Sequence, residues 1–107
     1  MDMHYQAAET TNEQILHELF EALLLVKDVH EMGRFMKDLC TPQELTALAE
    51  RWRVCNLLEQ ADFSYREISA KTGVSLATIT RIARFLKNEP HQGYTAILKR
   101  VKDSKKP

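Results

Sequence analysis

Ser75, Ala77, Thr78, Thr80, Arg81 and Arg84 crowd into ten consecutive positions of the stretch YREISAKTGVSLATITRIARFLK, residues 65–87, and no acidic residue follows them before Glu89. Hydroxyl and guanidinium groups bond base edges and phosphate oxygens, while the methyl groups of Ala and Thr meet thymine methyls. With Arg66, Leu76 and Lys87 added, this set forms a candidate surface for double-stranded DNA. Other chemistries lack their residues. There is no Gly-rich phosphate loop and no Ser-His-Asp set, so an enzyme is not expected. Cys40 and Cys55 lie far apart without a metal-ligand pattern and read as reduced packing residues, and His4, His17, His30 and His91 are scattered. No metal or cofactor is expected.

The elements that must position this set are legible from caps and apolar spacing. Ser64 and Glu67 have the spacing of a capping box and open one short helix. Ile68 is apolar, Ser69 is small enough for a close helix crossing, and Gly73 supplies the turn residue that tolerates a positive φ. Ser75 caps a helix from Leu76 to Lys87 that buries Ile79, Ile82, Ala83 and Leu86, with Val74 completing the apolar side of the junction. Together these make a helix-turn-helix. Upstream, Thr41 and Glu44 suggest another capping box with Pro42 at the first helical position, starting a helix to about Gln60. Its inward face is expected at Leu45, Leu48, Ala49, Trp52, Cys55 and Leu58, with Trp52 a core residue.

Farther upstream, Asn12 is the expected cap of one long helix from Glu13 to about His30. Nine of the twelve residues from Ile15 to Val26 are apolar. Covering one face of a domain needs an apolar arc of only ~100° or somewhat more, so this helix requires a partner subunit. Ile15, Leu16, Leu19, Phe20, Leu23, Leu24 and Val26 are the candidate dimerisation residues. Gly33 is expected to end this region, with a short helix Arg34–Cys40 after it and a last helix over Tyr94–Val101. Residues 1–11 read as a loose arm and 102–107 as a basic tail.

The 107 residues are 44% hydrophobic and 28% charged, consistent with one helical module. Fifteen basic residues balance fifteen acidic ones, yet residues 1–62 hold five against twelve and residues 63–107 ten against three. An acidic half, 1–62, would then carry the arm and dimerisation helices; 63–90 would be the DNA-binding segment and 91–107 the terminal helix and tail. No apolar run is long enough for a membrane helix and the start lacks a signal-peptide pattern, so a cytoplasmic protein is expected.

Residues 39–90 resemble the Trp repressor superfamily, and most its YerC/YecD-type members. The resemblance lies in Thr41-Pro42 followed by Glu44 and Leu48, in Arg51-x-Arg53-Val54, in Leu57-Leu58 and Arg66-Glu67, and in Ala77-Thr78-Ile79-Thr80-Arg81. It implies an all-α fold of six helices and an intertwined homodimer. Such a dimer is expected to act as a transcriptional regulator, and a repressor rather than an activator because so small a chain has no separate domain to recruit polymerase. The resemblance also implies an effector pocket at Thr41, Arg51 and Arg81, where the two arginines would sandwich an indole. Ile82 and Phe85 stand where that pocket has small residues. The pocket is therefore expected to be degenerate, filled by these side chains or serving another effector, and L-tryptophan is not the expected effector. The competing reading is a protein-interaction module that keeps the fold without specific DNA binding.

Overall fold

The structure, a computed structural model, describes residues 11–88 and 90–105. Among these it is all α, with six helices: α1 Asn12–Leu24, α2 Val29–Leu39, α3 Pro42–Gln60, α4 Tyr65–Thr72, α5 Leu76–Lys87 and α6 Gly93–Ser104. The expected arm lies outside the described residues apart from Thr11. The chain divides into two compact units, the first ending at Thr41 and the second beginning at Pro42. Helix α3 thus belongs with the helix-turn-helix and not with the amino-terminal helices.

The first unit corrects the expectation of one helix reaching His30. Thr11, not Asn12, is the N-cap: its Oγ1 accepts from the Gln14 amide at 3.1 Å, and Gln14 Oε1 accepts from the Thr11 amide at 2.7 Å. The helix stops at Leu24 because Asp28 starts another. Asp28 Oδ1 accepts from the Glu31 amide at 2.8 Å, and Glu31 Oε1 reaches back to the Lys27 amide at 3.0 Å. An N-cap residue requires extended backbone, and Asp28 has φ −155° and ψ 174°, so helix cannot run through it. Gly33, expected as an interruption, lies inside α2. Neither α1 nor α2 contains a buried residue. Leu24, Leu25 and Val29 are 85%, 78% and 89% exposed, and Ile15, Leu16 and Phe20 are exposed as well.

The second unit is built around α5, which packs against α3, α4 and α6. Val54 and Cys55 of α3, Ile68 of α4, Val74, Ile79, Ile82 and Leu86, and Leu98 of α6 form the buried cluster. Five of these, Val54, Cys55, Ile68, Ile79 and Ile82, have no accessible surface. The expected face of α3 is right only in its second half. Leu48 and Ala49 are exposed, Val54 is buried, and the core begins at Trp52, which packs against it half-buried. Helix α3 ends at Gln60 with Ala61 in the left-handed region at φ 60°. Helix α6 extends beyond its expected ends, and Lys102 pairs with Glu59 of α3 at 4.0 Å.

Candidate nucleic-acid interface

Local hydrogen bonds set the turn that aims α5. Ser64 Oγ accepts from the Glu67 amide at 3.1 Å and Glu67 Oε1 accepts from the Ser64 amide at 2.8 Å, which completes the expected capping box of α4. That backbone hydrogen bond is the first cause holding the Glu67 carboxyl below its ordinary pKa. At the other end Gly73 adopts φ 76° and donates to the Ser69 carbonyl at 2.8 Å. Ser69 does more than allow a close crossing, since its hydroxyl donates to the Val74 carbonyl at 2.7 Å. Thr72 Oγ1 accepts from the Val74 amide at 3.1 Å while donating to the Ile68 carbonyl at 2.7 Å. The turn is therefore tied to α4 from both sides. Its exit is fixed by Ser75, whose Oγ accepts from the Thr78 amide at 3.1 Å and caps α5.

Helix α5 runs over the expected residues and buries the expected four, Ile79, Ile82, Ala83 and Leu86. Ser75, Leu76, Ala77, Thr80, Arg81, Arg84 and Lys87 are exposed, as is Arg66 on α4, and Thr78 is half-buried. Two hydroxyls are already engaged: Ser75 Oγ donates to Thr78 Oγ1 at 3.0 Å, and Thr80 Oγ1 donates to the Leu76 carbonyl at 2.8 Å. With its proton committed, the Thr80 oxygen offers an acceptor outward, beside its methyl group. The first turn has no acidic residue and the last turn carries Arg84 and Lys87.

A cavity of about 720 Å³ opens beside this helix, lined by Arg51 and Trp52 of α3, Arg81 and Phe85 of α5, and His91 to Tyr94 with Ile97. It brings together Arg51, Arg81 and Phe85 of the expected effector pocket. Ile82 is a correction, because it has no accessible surface and belongs to the core rather than to the lining. The physical reason is the helical period. Ile79, Ile82 and Leu86 share one face of α5, while Arg81 and Phe85, four residues apart, share another. Phe85 forms one wall of the cavity, with its ring against the Arg81 guanidinium, whereas Ile82 stands behind the wall in the core. Trp52 serves both as core packing and as wall. Sequence reading missed His91, Gln92, Gly93, Tyr94 and Ile97 as wall residues, because the α5–α6 connection places them there and no local pattern marks it.

The Trp repressor protein family profile matches residues 14–102. The chain is 40% identical over 89 residues to the uncharacterized protein YerC of Bacillus subtilis (strain 168), covering 83% of this chain and 84% of YerC. It is 38% identical over 71 residues to the Trp operon repressor homolog of Vibrio cholerae serotype O1 (strain ATCC 39315 / El Tor Inaba N16961), covering 66% and 67% respectively. Its fold is similar to that of a TrpR like protein from Eubacterium eligens ATCC 27750, with a TM-score of 0.77 and 36% identity over 83% of this chain and 90% of that one.

Proposed function

The chain belongs to the Trp repressor family, and on that premise we propose that it is a sequence-specific DNA-binding repressor of transcription that works as a homodimer. The observation that carries this reading is the capped helix-turn-helix, whose second helix exposes Ala77, Thr80, Arg81, Arg84 and Lys87 and has no acid in its first turn. In such a motif the second helix enters the major groove and its amino-terminal residues contact bases; the Trp repressor itself docks in this way, so the geometry is carried over by family. Thr80 would read bases through its acceptor oxygen and methyl group, and Arg84 and Lys87 would meet phosphates.

A homodimer accounts for the apolar surface of the first unit. Phe20 is 54% exposed and Leu24 85% exposed, Leu19, Leu23 and Val26 are half-buried, and no residue of α1 or α2 is buried. A homodimeric helix-turn-helix protein reads two half-sites about one DNA turn, roughly 34 Å, apart on a pseudo-palindrome.

L-Tryptophan is not proposed as the effector. The Phe85 ring lies 4.4 Å from the Arg81 guanidinium carbon and covers a face on which an indole would stack. Calorimetric titration with L-tryptophan should give no heat of binding, and micromolar affinity would overturn this part of the reading.

Selection of bound sites from a random duplex pool tests the whole proposal. It should return paired half-sites with a spacing near one helical turn. If no sequence is enriched and heparin does not retain the protein, specific DNA binding is refuted and a protein-interaction module takes its place.

A further inference from the structure

Arg81 is at once a wall of the cavity and a member of the exposed DNA-facing set, and its position is not left to solvent. Phe85, one helical turn on, sits beneath its guanidinium at 4.4 Å, and Arg84 lies 5.5 Å from the same ring. The Phe85 ring is half-buried, and His91 stacks on it with planes 2° apart and centroids 6.4 Å apart. The Thr95 hydroxyl has its single proton shared between the Leu86 carbonyl at 3.3 Å and Gln92 Oε1 at 3.2 Å, and the former links the start of α6 to the end of α5.

We propose that Phe85 is a positioning residue for DNA recognition, and that its ring, braced by His91, orders the Arg81 guanidinium on the exposed face of α5. The inference rests on the DNA-binding reading above. An arginine side chain in solvent loses much rotamer entropy when it is fixed against a base or phosphate. A planar aromatic surface four residues away settles part of that ordering before DNA arrives, and the cation–π attraction holds the guanidinium there.

The test uses the full chain and the duplex recovered by site selection. Phe85→Leu keeps an apolar side chain of similar size and should leave the melting temperature near that of the parent while weakening binding about two- to fivefold, the scale of one cation–π contact. Phe85→Tyr should retain full affinity. In an Arg81→Ala background, Phe85→Leu should have a smaller effect, the remainder passing through Arg84, which lies 5.5 Å from the same ring. A readout without DNA accompanies these: the Arg81 Nε–Hε order parameter, measured by NMR, should fall in Phe85→Leu and in His91→Ala, the latter an exposed site outside the core. Unchanged affinity in Phe85→Leu, equal weakening with and without Arg81, or an unchanged order parameter would each overturn the proposal. Should Phe85→Leu fail to fold, His91→Ala decides by the same two measurements. If the order parameter falls as expected but no duplex is bound by the parent protein, the DNA-binding reading has failed and the role of Phe85 in recognition falls with it.

Discussion

At the scale of single residues, the proposed DNA-binding face of α5 offers two kinds of contact. Arg84 is a cation near the end of the helix, so Arg84→Ala should weaken binding to every duplex alike and lower the salt slope by ~1. Thr80, with its proton held by Leu76, should instead set base preference, and Thr80→Ala should change the recovered half-site. Anisotropy titrations at several salt concentrations separate the two, and unchanged affinity for both variants would remove this face from the groove. Cys55 behaves as an interior group. Burial, aided by the charge of Glu59, pushes its thiol up to about 11. It should resist alkylation at pH 8 until the protein is unfolded. The folded state holds this proton above the pH, about 9, at which an unfolded thiol releases it. Stability should therefore fall as pH rises between roughly 9 and 11. A Cys55 that reacts as fast in the folded as in the unfolded protein would contradict this burial.

At the scale of elements, the helix-turn-helix depends on backbone conformation at Gly73. An added Cβ there meets no atom within 4 Å, so the cost of Gly73→Ala is conformational and not steric. It should lower stability by about 0.5–1 kcal/mol, the ~1–2 kcal/mol penalty for a left-handed L-residue less what alanine's smaller freedom in the unfolded chain returns. Ala61 already bears that penalty at φ 60°, and Ala61→Gly should stabilise by about 0.5 kcal/mol once the greater freedom of glycine in the unfolded chain is set against it. Denaturant melts of the two variants should move in opposite directions. These elements were readable because their signals are local. Ser64 with Glu67, Ser75 and Gly73 each act within three or four residues, and each does what its spacing predicts. The same kind of signal was present at Asp28 and Glu31, where the continuous apolar run hid a cap and led to one helix being expected in place of two.

At the scale of the whole molecule, the neutral total charge conceals a dipolar chain. Divided where the structure divides it, residues 1–41 carry three basic and eight acidic residues, and residues 42–107 carry twelve and seven. The basic excess thus resides in the unit that bears α5, while the unit with the apolar surface is acidic. Sedimentation should give twice the chain mass, and Phe20→Glu, which puts a charge on a 54% exposed apolar site, should shift it toward monomer. A stable monomer of the parent protein would leave the surface of α1 without a purpose.

The sequence by itself determined an all-α chain, the caps and turn of the helix-turn-helix, and the inward face of α5, because each depends on neighbours within about one helical turn. Only the tertiary structure decided which residues meet across helices. It buried Ile82 in the core, opened a cavity between Arg51, Trp52, Arg81 and Phe85, and brought His91 onto the Phe85 ring. Those meetings depend on how α3, α5 and α6 pack and on the path of the α5–α6 connection, which no periodicity in the chain encodes.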